Sequence, residues 1–386
     1  MRWIGPALVL ACAACSAGNN SPKSGAGAAG LALVGDDGAT TALALVDPAA
    51  STAASCLGGL SSDVVLPSTP ALDHEIVLID RLNARLSWVT PADCAVARTL
   101  AVDTGFAADP HDVVSLSATK AYVTRAATNP TPGASADDAG ADLLIIDPSA
   151  GTITGRVDLS GQATAGDLQA QPDRALLANG KVWVSLGNRS ADGKTLGHGR
   201  VVAVDPKTDA VALTVDLPAL RGCSGLDYLP ATKDLVVGCA GDPNDTPDNR
   251  IAESAIALIN IGAAAPSVMT SIGASGAGNR PFSPALFAAI GDDFILAVSP
   301  GVAGMPDSLY RLELDSGTAT LVVNAGSSAV DSAGFGGVVW DSVRRRAYLA
   351  DDAAMALRVF DVSNPRDTPQ IASFSSPARP RQLAFY

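Results

Sequence analysis

Few residues in this chain have the type and spacing to do chemistry. The stretch "GNRSADGKT" (187–195) sets Gly187, Gly193, Lys194 and Thr195 in nearly the order of a phosphate-cradling loop, G-x-x-x-x-G-K-[ST]. Five residues separate its glycines where that loop has four, and the "GRVVAVD" behind it reads as a strand. A phosphate loop needs a helix there, so that the anion meets the helix N-terminus. We therefore expect a surface loop and no nucleotide. His111 and Asp112 form the one pair suited to general acid–base work; the competing expectation is a histidine satisfied by a neighbouring carbonyl. His74 is expected in a tight turn, and His198 ends the 187–199 loop. No serine has a positioned His and Asp in the sequence, so a hydrolase triad is unsupported. "GDPNDTPDN" and "SADDAGAD" offer oxygen ligands of the kind calcium takes, but neither has the D-x-[DN]-x-[DN]-G spacing. They read as solvated acidic loops, and neither a metal nor a cofactor is expected.

The cysteines suggest a destination. "MRWIGPALVLACAACSAGNN" has one positive charge, a short apolar stretch and then small residues, the pattern of a secretory signal. Cys12 and Cys15 each follow alanine, resembling the lipid-modified cysteine of a bacterial lipoprotein signal. "VLAC" at Cys12 leaves a very short signal. "CAAC" at Cys15 gives a better length and is preferred, although Cys12 stands where Leu is usual. An ordinary secreted protein cleaved nearby is the alternative. Residues 1–14 are read as signal peptide, 15–29 as a Gly/Ser/Ala tether and 30–386 as one folded unit. Export implies an oxidising compartment, where the remaining cysteines pair. Cys223 and Cys239 flank two strands around a short turn and could face each other across a hairpin, which leaves Cys56 with Cys94.

Composition narrows the classes of partner. The chain has 386 residues and a net charge of −13, a poor match for phosphate backbones or anionic lipid. Nucleic acid is thereby excluded, and a membrane could be met only through a lipid anchor. Glu occurs only at Glu75, Glu253 and Glu313, so the other acids are Asp. Asp favours turns; with 37 Gly and 25 Pro the chain reads as short strands joined by many turns.

Those strands repeat. "SATKAYVTR" (117–125), "LANGKVWVSL" (177–186), "PATKDLVVG" (230–238), "DDFILAVS" (292–299) and "VRRRAYLAD" (343–351) are each a short turn followed by an apolar strand. After each comes a strand, a turn and an alternating strand, clearest in "LLIIDPSAGTITGRVDL" (143–159) and "RVVAVDPKTDAVALTVDL" (200–217). The residues opening that later turn are Asp47, Thr90, Asp147, Asp205, Asn260, Glu313 and Asp361, spaced 43 to 58 residues apart. Four strands in that period make a β-propeller blade, and seven units make an all-β, seven-bladed ring of four-stranded antiparallel blades. The chain ends on "RPRQLAFY", which reads as an innermost strand, and opens after the tether on "GLALVGDD", which reads as a second strand. The N- and C-terminal strands are therefore expected to pair and close the ring.

"PHDVVSLSATKAYVTR" followed by "LLIIDPSAGTITGRVDL" resembles a blade of the YVTN-type repeats found in surface proteins and lactonase-like seven-bladed propellers. Arg125 stands where that repeat has Asn. The resemblance implies a propeller and export, and raises an enzyme of lactonase-like or quinoprotein-like type with its site at the central channel mouth.

In a blade the first and third turns share one rim, and the second turn and the blade-to-blade loop share the other. The first rim is tight here, while 126–142, 187–199, 240–254 and 300–308 make the second rim long. Such loops mark a working face. Innermost strands should begin around the channel with His111 and Asp112, Asp173 and Arg174, Ser224 and Gly225, Pro284 and Ala285, Gly336 and Gly337, and Arg381 and Gln382, with Arg280 nearby. One imidazole among scattered arginines favours a binding or scaffolding module over an enzyme. We expect an exported, lipid-anchored monomer of the bacterial envelope, either outer-membrane or cell-surface. It would take an envelope protein or a small ligand on its long-loop face.

Overall fold

Each of the seven turn-opening residues ends the third strand of a four-stranded antiparallel sheet, from Thr41–Asp47 in blade 1 to Ala356–Asp361 in blade 7. The cause is local. Asp47 Oδ1 accepts the Ala49 amide at 2.8 Å, Asp205 Oδ1 that of Lys207 at 2.9 Å, and Asn260 Oδ1 that of Gly262 at 2.9 Å. A side chain that satisfies its own turn two residues on stops the strand there. The computed structural model describes residues 30–133, 135, 137–301, 305–326, 334–364 and 366–386. Cys12, Cys15 and the expected signal and tether lie outside them.

Seven blades form a ring around an axis lined by the innermost strands, among them Pro110–Ser117 (blade 3), Pro172–Ala178 (blade 4) and Cys223–Leu229 (blade 5). Middle strands such as Phe294–Ser299 are buried throughout, because both of their faces pack on other blades. Outer strands such as Ser267–Gly273 are largely exposed. The core lies between blades: Leu176, Trp183 and Val201 of blade 4 pack with Leu226, Tyr228 and Leu235 of blade 5.

Closure follows the expected pairing. Arg379–Phe385 is the innermost strand of blade 1 and pairs with Leu31–Asp36, placing Leu31 opposite Phe385 and Leu33 opposite Leu383. Both expected disulfides are present. Cys223 lies directly opposite Cys239 within blade 5. Cys56–Cys94 joins the outer strand of blade 1 (Thr52–Leu60) to the turn before Ala95–Ala101 of blade 2.

Three features depart from the expectation. His74 sits in no tight turn: the whole segment 66–75 intervenes between Val64–Val65 and Ile76–Asp80 and includes the 3-10 turn Leu72–His74. The long loop of blade 5 carries a short helix, Pro247–Ala252, capped by the Thr246 hydroxyl on Asn249 N–H. A two-residue ladder ties Leu168–Gln169 to Arg189–Ser190. The long loops are also unevenly spread. Blades 3 to 6 carry them at 129–139, 187–197, 241–253 and 300–307, while 37–40, 81–84 and 352–355 are four-residue links.

Candidate functional site

On the long-loop face, the loops of blades 3, 4 and 5 stand over the starts of their innermost strands and enclose a cleft of about 690 Å³. Asp109, His111 and Asp173 line one part of it; Arg189, Ser224 and Arg250 also line it. A volume of this size suits a small ligand.

His111 is the second residue of Pro110–Ser117. Its Nδ1 lies 2.9 Å from Asp173 Oδ1 of the next blade, and its Nε2 lies 3.0 Å from Asp109 Oδ2. Asp109 reaches back because its backbone is left-handed, at φ 47°, a conformation Asp tolerates better than most residues. Burial pulls the imidazole pKa down, but the two carboxylates win and raise it to about 9. The hydrogen bond from His111 holds Asp109 below the usual carboxylate range. Burial pushes Asp173 up, yet the same imidazolium keeps it low. His111 therefore carries its proton at neutral pH and is no general base there.

Asp112 is not its partner. Neighbours on a strand point to opposite faces, and Asp112 turns inward, fully buried. Its Oδ1 accepts the Ser68 amide at 2.8 Å and the Val113 amide at 2.9 Å, and its Oδ2 accepts the Ala175 amide at 3.0 Å. Burial pushes its pKa up, against the pull of Arg174 and these amides. It ties blade 3 to blades 2 and 4. The expected carbonyl partner of His111 is corrected as well: the imidazole is held by carboxylates.

The remaining expected site residues divide. Arg174 and Arg381 line a channel cavity of about 250 Å³ together with Arg81, Gly225, Gly336 and Gln382. Arg381 Nε sits 2.6 Å from Asp36, Arg81 Nη2 2.7 Å from Asp63, and Arg174 Nη1 donates to the His111 carbonyl at 3.2 Å. Arg280 is buried and lines neither cavity. It donates to the Pro306 carbonyl at 2.8 Å and to the Ser308 hydroxyl, bracing blade 6.

The 187–195 stretch joins the second and third strands of blade 4, and the strand His198–Asp205 follows it. Lys194 is 80% exposed, 3.2 Å from Asp192. Several carboxylates of the acidic loops bond their own backbone or an arginine. Asp242 caps Asn244, Asp245 caps Thr246, and Asp142 holds the buried Arg125 at 2.7 Å. No cluster of three or more His, Cys, Asp or Glu able to hold a metal occurs among the described residues.

Sequence reasoning missed Asp109, Arg189 and Arg250. The two arginines lie in the loops that mark the working face, and each is the only arginine in its loop. That was the available signal.

No family model matches the chain, and no curated protein matches it either. Solved structures do. A protein from Lactobacillus plantarum superposes with a TM-score of 0.60 at 10% identity, covering 92% of this chain and 99% of that one. A candidate 6-phosphogluconolactonase of Bacteroides fragilis gives 0.58 at 8% identity, covering 92% and 97%. Another from Bacteroides uniformis gives 0.57 at 12%, covering 92% and 99%. Identities this low carry the fold alone. The chain is a seven-bladed β-propeller with lactonase-like structural neighbours. Its two disulfides fit an extracellular or periplasmic protein. Among the described residues no helix is long and apolar enough to cross a membrane.

Proposed function

We propose that this protein is an exported, lipid-anchored propeller that binds a small ligand in the off-axis cleft of blades 3 to 5. The observation that carries this reading is the Asp109–His111–Asp173 clamp. It lines a cleft of ligand size and fixes the chain's one imidazole in that cleft as a cation. An enzyme of the kind named for the Bacteroides neighbours would need a free base at its site. Here the base is occupied, and the channel arginines already have acceptors. Binding is thus favoured over hydrolysis.

The test is a thermal-shift screen of a metabolite and peptide panel against the parent protein and Ser224→Trp, which fills the cleft floor. A compound that raises the parent's melting temperature but not the variant's supports the reading. Turnover of aldonolactones by the parent, retained by Ser224→Trp, would support the channel enzyme instead. For anchoring, Cys12→Ala with Cys15→Ala should move the protein from membrane to soluble fractions. Retention at the membrane under high salt would refute the lipid anchor.

A further inference from the structure

Most arginines of this acidic chain that are not fully exposed have found an acceptor. Arg200 lies 2.6 Å from Asp216, Arg221 2.8 Å from Glu253 and Arg358 close to Asp351. Among the described residues Arg189 and Arg250 have none. Both are partly buried, both line the cleft, and neither side chain makes a hydrogen bond or ion pair among the described residues. The Arg250 Nε is shielded from solvent and still without an acceptor. A donor held that way gives up its water and gets nothing back. In a chain with net charge −13, two guanidinium groups left without an acceptor at one cavity favour an anion there.

The other part of the cleft has the opposite need. Asp109 and Asp173 each use one oxygen on His111. Asp109 Oδ1 and Asp173 Oδ2 have no partner among the described residues and can accept from a ligand. Arg174 Nε also stands 3.8 Å from Asp173 Oδ1, so the two carboxylates face an imidazolium and a more distant guanidinium, and their two free oxygens remain as acceptors on this part of the cleft. One cavity thus holds guanidinium donors on the loops of blades 4 and 5 and free carboxylate oxygens where blade 3 meets blade 4.

We infer that the cleft takes a small zwitterion, an amino acid or short peptide with free termini. Its carboxylate is held by Arg189 and Arg250 and its ammonium by Asp109 and Asp173. Guanidinium matches a carboxylate with paired N–H donors, and an ammonium offers three donors to the free carboxylate oxygens. This inference rests on the proposed binding role and names the ligand class for it.

Calorimetric titration with trialanine, N-acetyl-trialanine, trialanine amide and inorganic phosphate tests it. Trialanine should bind, and either cap should weaken binding at least tenfold. Arg189→Gln with Arg250→Gln should weaken trialanine to the level of its amide and leave the amide's affinity unchanged. Asp109→Asn should do the same with respect to the N-acetyl form. The arginine variants should melt with the parent, since neither side chain has an internal partner. Failure of trialanine to bind, indifference to the caps, or phosphate binding as tightly as trialanine would each overturn the zwitterion assignment. If any of these occurs while another compound of the panel still depends on an open cleft, by the Ser224→Trp comparison, the binding role stands and only the ligand class falls. If nothing depends on it, both fall.

Discussion

The carboxylate of Asp112 accepts the backbone amide of Ala175 at 3.0 Å across the junction between blades 3 and 4. Its other oxygen does the same for Ser68 of the blade 2 segment at 2.8 Å. Three consecutive blades are pinned by one buried side chain. Asp112→Ala leaves those amides without an acceptor, and unpaired buried donors cost about 1–3 kcal/mol each. We expect a loss of about 3–5 kcal/mol in urea unfolding. Asp112→Asn should fall between, because the amide keeps one oxygen but presents a donor where the second is needed.

The ring depends on its last strand. Leu383 and Phe385 are buried against the first strand of the fold, and burying two such side chains is worth about 3–6 kcal/mol. Deleting residues 380–386 also opens the edge of Leu31–Asp36 to pairing with other chains. We expect a sharp drop in soluble yield and in melting temperature. A truncated chain as stable as the parent would contradict closure by these strands.

The clamp around His111 makes stability depend on pH. Its pKa rises from 6.5 to about 9 on folding, so its contribution is complete below about pH 6.5 and is lost as pH rises through about 9. Asp109 and Asp173 are shifted down from 3.8, so theirs is complete above about pH 4 and lost on acidification through their folded values. The stability difference between parent and His111→Gln should plateau between those limits and shrink by about 3 kcal/mol on the alkaline side. An imidazole titrating near 6.5 by NMR would mean that the clamp does not hold.

Much of this was legible in the sequence, and the reason lies in the turns. Asp47, Asp147, Asp205, Asn260 and Asp361 end their strands through bonds to their own neighbours, so the blade count could be read from local chemistry. Contacts between blades could not. Asp173 lies 62 residues from His111, and only the ring brings them together. The 66–75 segment, the helix Pro247–Ala252 and the Leu168–Gln169 ladder were illegible for a related reason. Each is fixed by parts of the ring distant in sequence, the 66–75 segment by Gln382, Asp112 and Val113 of two innermost strands, and none has a periodic pattern of its own.

The disulfides should differ in effect. Cys56–Cys94 closes 38 residues and crosses two blades; Cys223–Cys239 closes 16 within one. By loop length alone they contribute about 4 and about 3 kcal/mol. Cys56→Ser with Cys94→Ser should therefore lower the melting temperature more than the corresponding blade 5 pair. Mass spectrometry of native, unreduced protein should find no free thiol at any of the four positions.

Gly30 and Tyr386 exchange both of their backbone hydrogen bonds, at 3.2 and 3.1 Å. This joint sits on the tight-turn rim, where the innermost strand of blade 1 ends and its second strand begins. Both ends of the ring thus emerge from its blunt side, across the full thickness of the disc from the cleft. On the proposed anchored reading, the tether would leave the disc on that side, away from the cleft. The attachment would then leave the mouth formed by blades 3 to 5 unobstructed.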